Sequence, residues 1–110
     1  MESCVFCRIA AGEIPAAFIL QDDLAVSFKD IEPQAPVHAV VIPRRHVASL
    51  HEALDPQWLG HLLDFARRTA EKAGLAQYRL VINTGRDAGQ SVFHLHLHVL
   101  GGRKMAWPPG

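Results

Sequence analysis

Three histidines, His94, His96 and His98, alternate with Leu95, Leu97 and Val99 near the end of the chain. Successive side chains of a β-strand point to opposite faces, so this spacing gathers three imidazoles on one face and three aliphatic side chains on the other. One face is then free for chemistry while the other closes a core. An imidazole, with an ordinary pKa of about 6.5, serves as nucleophile, proton carrier or metal ligand. Residues 83–91, immediately upstream, are mostly polar and contain Gly85 and Gly89, which accept positive φ and let backbone N–H groups approach an anion. An ordinary hairpin loop uses glycine in the same way, but adjacency to three histidines favours a phosphate nest with the Ser91 hydroxyl at its mouth. It is not a Walker loop, because no Gly-Lys-Ser/Thr follows and the next element is a strand. A central histidine placed beside such a nest can attack phosphorus, giving a phosphoimidazole that water later resolves.

The two cysteines, Cys4 and Cys7, form a C-x-x-C pair that points to metal or redox chemistry more than to a structural disulfide. Tetrahedral zinc bound by both and by two histidines would be a closed structural site, leaving other histidines for catalysis. Spacing alone does not choose those histidines. Two alternatives stand beside this: buried helix thiols without metal, and an open catalytic zinc centre made by the triplet itself. Of the remaining histidines, His38 opens a Val/Ile run and His46 follows Pro43-Arg44-Arg45, while His51 and His61 are expected to face solvent. Arg44 and Arg45 could contact phosphate but read more simply as solvated turn charges.

The elements that must carry these groups are legible in outline. Ser3 caps a short predicted helix over residues 4–11, ended by Gly12 and Pro15, which sets Cys4 and Cys7 one turn apart. Residues 16–22 and 24–29 are β-prone, with Asp22-Asp23 as the hairpin turn. Residues 38–42 suit a strand buried on both faces, closed by Pro43. Asp55 as N-cap and Pro56 at the first position open the clearest helix, with an apolar stripe of Leu59, Leu62, Leu63, Ala66, Ala70 and Ala73 that ends at Gly74. Residues 78–83 and 91–100 are two further strands. Five strands, one long helix and one or two short ones, without βαβ alternation, predict an α+β fold on a five-stranded antiparallel sheet.

At 110 residues and 49% hydrophobic content the chain fits one domain, residues 1–110. Eleven basic residues balance eleven acidic ones, which removes the broad positive field that nucleic acid or polybasic membrane binding needs. No apolar run is long enough to span a bilayer and no basic leader precedes the first helix, so a cytoplasmic protein without membrane or nucleic-acid partners is expected.

Taken together, Gly12-Glu13-Ile14-Pro15-Ala16, Asp30-Ile31-Glu32-Pro33-Gln34-Ala35-Pro36-Val37-His38, Val41-Ile42-Pro43-Arg44-Arg45-His46, Gly89-Gln90-Ser91-Val92, the triplet and Trp107-Pro108-Pro109-Gly110 resemble the histidine-triad (HIT) superfamily. Within it the chain is similar to the Hint branch of purine-nucleotide phosphoramidases. The resemblance implies a homodimer whose sheets join across the interface, with residues 101–110 as a tail toward the partner's site. It implies His96 as the nucleophile toward the α-phosphate of a nucleoside phosphoramidate or acyl-adenylate, with one ring nitrogen held by a backbone carbonyl. His98 and Ser91 match contacts to phosphate and leaving group; Asn83, Gly89 and Gln90 match the phosphate loop; Asp30 matches the ribose carboxylate. Phe6, Ile9, Ile14, Phe28 and Val40 match the purine slot. Cys4, Cys7, His46 and His94 match a structural zinc site, and no catalytic metal is implied. The ligands so implied are purine nucleoside monophosphates and their phosphoramidates. A nucleotide-binding regulator with little turnover is the alternative of a different class, and dinucleoside polyphosphate cleavage is disfavoured by the Trp-Pro-Pro-Gly ending.

Overall fold

The Val/Ile run after Pro36 becomes β3 (Val37–Pro43), and its unbroken apolar character places it at the centre of the sheet. In the computed structural model, which describes residues 3–110, β3 is flanked by β2 (Ala25–Lys29) and β5 (Leu97–Gly101), with β1 (Phe18–Gln21) and β4 (Tyr78–Val81) at the edges. All pairings are antiparallel. The five-stranded α+β architecture predicted from the sequence is the one observed. Among the described residues, no helix is long and apolar enough to cross a membrane.

Register sets the two faces of the sheet. Phe28 pairs with Val40 and Val40 with His98, so these side chains share a face with Val26 and Ile42. That face is covered by α1 (Val5–Ala10), which contributes Ile9 and Phe6. Ala25, Ala39, Val41, Leu97 and Val99 point the other way, into a core closed by α2 (Pro56–Lys72). The sheet therefore separates a packed interior from the histidine face.

α2 begins as predicted: Asp55 Oδ1 accepts hydrogen bonds from the Gln57 and Trp58 amides at 3.0 and 3.4 Å, and Pro56 occupies the first turn. Its buried stripe differs from the expected one. Leu62, Phe65, Ala66, Thr69 and Ala70 are buried, Leu59 packs partly against the core, Ala73 is the C-cap, and Leu63 is 52% exposed. Thr69 was invisible to an apolar count because it is polar, yet its Oγ1 donates to Ser27 Oγ at 2.9 Å, which satisfies both buried hydroxyls. α1 also starts one residue later than expected. Cys4, not Ser3, is the N-cap, its Sγ accepting from the Cys7 amide at 3.4 Å.

The predicted strands 16–22, 78–83 and 91–100 are each shorter than their patterns, the first being observed as Phe18–Gln21. The run 91–100 joins the sheet only from Leu97, which pairs with Val41; residues 91–96 run on without a strand partner, held in part by the Leu95 amide on the Val47 carbonyl at 2.7 Å. The run 78–83 stops at Val81, which pairs with His98.

The β1–β2 turn is anchored by Asp22, whose Oδ1 accepts from the Leu24 and Ala25 amides at 2.8 Å while Oδ2 meets His61 at 2.8 Å and Arg68 at 3.3 Å, both on α2. His61 is thus exposed, as expected, but engaged. Arg44 is a strut and not a free charge: it donates to the Asp22 carbonyl, the Ala10 carbonyl and Gln21 Oε1. Partial burial alone would raise the Asp22 pKa, but the bonds from His61, the two amides and Arg68 outweigh it and hold the carboxyl down to about 2. A depressed folded pKa gives stability that is complete above the ordinary carboxylate value of about 3.9 and is lost as pH falls through 2. Urea unfolding between pH 2 and 7 should show that loss, and Asp22→Asn should flatten it while lowering stability at pH 7 by about 1–2 kcal/mol.

Candidate active site and metal cluster

A cavity of about 650 Å³ opens on the α1 face of the sheet. Phe6, Ile9, Ile14, Phe28 and Val40, the five predicted slot residues, all line it and form its apolar side. Asp30, His38, Ser91, His96 and His98 line its polar side. A planar apolar group and a charged or hydroxylated one can therefore be held in a single site.

The triad rings do not converge on one point, which removes the open catalytic zinc centre made of all three. His94 is fully buried; its Nε2–H donates to the Pro43 carbonyl at 2.8 Å, which leaves Nδ1 as a lone pair turned toward the cysteines. His96 is held oppositely. Its Nδ1–H donates to the His94 carbonyl at 2.8 Å, and Phe6 packs edge-on against the ring with centroids 5.1 Å apart. The unshared pair of His96 is then on Nε2, the nitrogen left to the cavity.

His98 is specified by a residue that sequence reasoning left without a role. The Gln34 amide donates to His38 Nδ1 at 3.0 Å, so the proton of neutral His38 sits on Nε2, which is 2.8 Å from His98 Nδ1. His98 accepts there and carries its own proton on Nε2. Burial, reinforced by the neighbouring His96 and His38, pushes the His98 pKa down to about 4, and burial against the opposing pull of Asp30 lowers that of His38. Both rings are neutral at pH 7, as this chain of donors requires. The signal available in sequence was the position of His38 at the start of a central strand, two residues before Val40, which faces His98 across the ladder. Asp30, His38 and His98 also lie close enough to suggest a metal site. The His38 tautomer argues against it, because Nε2 bears the proton and has no pair to give.

The phosphate-loop residues divide. Ser91 reaches the cavity, whereas Asn83, Gly89 and Gln90 are not among the residues lining it. Gly85 and Gly89 have φ of +88° and +102°, as the loop demands, and Gly89 passes directly over the Asn83 side chain. Gln90 is 2% exposed: its Oε1 accepts from the Gly85 amide at 2.9 Å and its Nε2 donates to the Ala48 and Val92 carbonyls. The Gln90 side chain is thus a clamp, with its donors and acceptor committed to closing the loop. Asp30 turns Oδ1 to the Glu32 amide at 2.8 Å and keeps Oδ2 3.5 Å from His38 Nε2.

Cys4, Cys7, His46 and His94 bring one ligand atom each within 4.8 Å of one another. Cys4 Sγ lies 3.3 Å from His94 Nδ1, and Cys7 Sγ lies 3.3 Å from His46 Nδ1 and 3.4 Å from His94 Nδ1. Sulfur and nitrogen bound at about 2.3 and 2.0 Å around a tetrahedral zinc stand about 3.5 Å apart, so the donor set fits that ion. The bond from His94 to the Pro43 carbonyl is the outer support such a ligand needs. Without metal, burial and the adjacent Cys4 hold the Cys7 thiol above its ordinary pKa.

The sequence pattern of the HIT domain matches residues 11–105. The chain belongs to this family. An uncharacterized HIT-like protein of Synechocystis is 51% identical over 99% of the chain and 98% of its own length. Among solved structures, a HIT family hydrolase from Legionella pneumophila superposes with a TM-score of 0.93 at 46% identity, covering 98% of this chain and all of that one. A zinc-bound histidine triad family protein from Mycobacterium smegmatis gives 0.82 at 34% identity, covering 93% of this chain and 76% of that one. In this HIT domain His94 links the two sites, its ring facing the cysteines while its carbonyl holds His96.

The donor chain yields a test that needs no substrate. Two-bond ¹⁵N–¹H spectra of the histidine rings at pH 8 should show His96 with its proton on Nδ1 and His98 with its proton on Nε2. His38→Phe should turn His98 into a mixture of tautomers and leave His96 unchanged; an unchanged His98 would contradict the chain.

Proposed function

We propose that the protein is a hydrolase of purine nucleoside phosphoramidates and acyl-adenylates, acting through a nucleotidyl group carried transiently on His96. The observation that supports this most is the commitment of His96 Nδ1 to a carbonyl beside a cavity lined by both an apolar slot and the Asp30 carboxylate. A base packs on the apolar wall that Phe6, Phe28 and Val40 help to form, Asp30 accepts from the ribose hydroxyls, and the α-phosphorus lies before His96 Nε2. The likeness to a protein described as a HIT family hydrolase agrees with this reading.

In the first step the His96 Nε2 pair forms the N–P bond while the bond from phosphorus to the leaving nitrogen breaks, and the departing amine takes its proton from solvent. Neutral His98 presents Nε2–H, and Ser91 its hydroxyl, to the phosphoryl oxygens and the leaving atom, where they stabilise charge as it develops. Water then attacks phosphorus, releases the nucleoside monophosphate and returns His96 to its starting form. None of these steps requires a metal. Zinc held by Cys4, Cys7, His46 and His94 would instead supply a closed structural cross-link.

The reading includes a homodimer. β4 is an edge strand, and beside it a groove lined by Leu50, Leu59, Leu62, Leu63, Ile82 and neighbouring leucines suits a second copy joining edge to edge with its own α2. The exposed Leu63 then has a purpose.

A regulator that only binds nucleotide would need the slot and Asp30 but would have no use for a reactive nitrogen. His96→Asn separates the two. It should reduce hydrolysis of an adenosine phosphoramidate by at least about 10³-fold while AMP affinity stays within about tenfold. Retained turnover would refute the proposal.

A further inference from the structure

We propose that Cys4 and Cys7 form a redox-sensitive latch on the nucleotide slot: with zinc bound they tie α1 to the body of the domain, and oxidation to a Cys4–Cys7 disulfide releases it. The proposal rests on the zinc and nucleotide readings above. It starts from what α1 is asked to do. The helix has only six residues, too few to be stable alone, yet it supplies Phe6 and Ile9 to the slot wall. Phe6 touches Phe28 and His96 with ring centroids 5.8 and 5.1 Å away.

The metal cluster joins three distant segments. Cys4 lies 90 positions from His94 and Cys7 lies 39 from His46, so a shared ion holds the start of α1 against the end of β3 and the triad run. A disulfide between Cys4 and Cys7 does nothing of the kind. It closes a loop of a few residues within one helical turn and leaves His46 and His94 unattached. The two sulfurs already lie within 4.8 Å, and both cysteines are half-buried, so a small oxidant can reach them. Arg44 still holds the Ala10 carbonyl at 2.8 Å, which makes the C-terminal end of α1 the hinge and its Phe6 end the part that swings.

With hydrogen peroxide as oxidant the chemistry balances. One thiolate attacks a peroxide oxygen, the O–O bond breaks, and a sulfenic acid and hydroxide result; the second thiolate attacks the sulfenic sulfur and expels its oxygen as hydroxide. Two protons from solvent convert the two hydroxides to water. The sulfurs lose two electrons, peroxide gains them, and hydrated zinc departs.

The test uses the full-length wild-type protein loaded with zinc, with three readouts after stoichiometric peroxide: zinc release to a chromogenic chelator, the mass of the 4–7 peptide, and amide exchange across the chain. We expect about one zinc released per chain, a disulfide within the peptide, loss of exchange protection at the amides of Cys7 and Arg8, which donate to Cys4, and full protection in α2 and β3. AMP affinity should fall about tenfold or more, and reductant with zinc should restore it. Removing zinc with a chelator under reducing conditions should loosen the same amides. The latch is refuted if the preparation binds no zinc, if zinc leaves and the disulfide forms while the Cys7 and Arg8 amides stay protected, or if protection collapses throughout α2 and β3, which would make the cluster a folding element. If AMP fails to bind even the reduced, loaded protein, the nucleotide reading fails, and the exchange data still decide the latch.

Discussion

The hydrogen bond from His96 Nδ1 to the carbonyl of His94 is the constraint on which the rest of this protein turns. It fixes a tautomer, and with the tautomer the nitrogen that can react. The carbonyl can do this only because His94 itself is immobile: its ring is tied to Pro43 on one nitrogen and faces the cysteines with the other, and the next amide is tied to Val47. A residue that takes no part in the proposed chemistry is therefore the one that makes its neighbour competent.

The same economy runs through the second half of the site. Gln34 sets His38, His38 sets His98, and these two rings are neutral because burial disfavours the charged form. A line of neutral imidazoles hands a donor to the cavity without placing an uncompensated charge in a poorly solvated wall. The antiparallel register of β3 with β5 is what brings the two strands' histidines together, and the core under α2 holds that register because a shift by one residue would exchange Leu97 and Val99 for His98.

Much of this was readable from the chain. Alternation placed Leu95, Leu97 and Val99 in the core and the histidines on the opposite face, even though residues 91–96 proved not to be a strand; side-chain alternation survives wherever the backbone stays extended. Asp55-Pro56 announced α2 by capping chemistry, which is local. Which side of α2 is buried is not local, and Phe65 and Thr69 took places that a count of aliphatic residues gave to Leu63 and Ala73. His38 was left without a role because that role depends on a partner 60 positions away, and the clamp made by the Gln90 side chain was hidden because a loop's internal clamp and a ligand contact use the same residue type. The Cys/His ligand set needed family likeness to be named; geometry then brought the four donors together.

Trapping the covalent state tests the central claim most directly. Mixing excess enzyme with an adenosine phosphoramidate, quenching within one turnover and mapping the digest by mass spectrometry should find an adenylyl group on the peptide containing His96, bound through Nε2. Burst release of the amine ahead of AMP should accompany it. Simultaneous release of amine and AMP with no adduct, or an adduct on His98 or any other residue, would contradict the account.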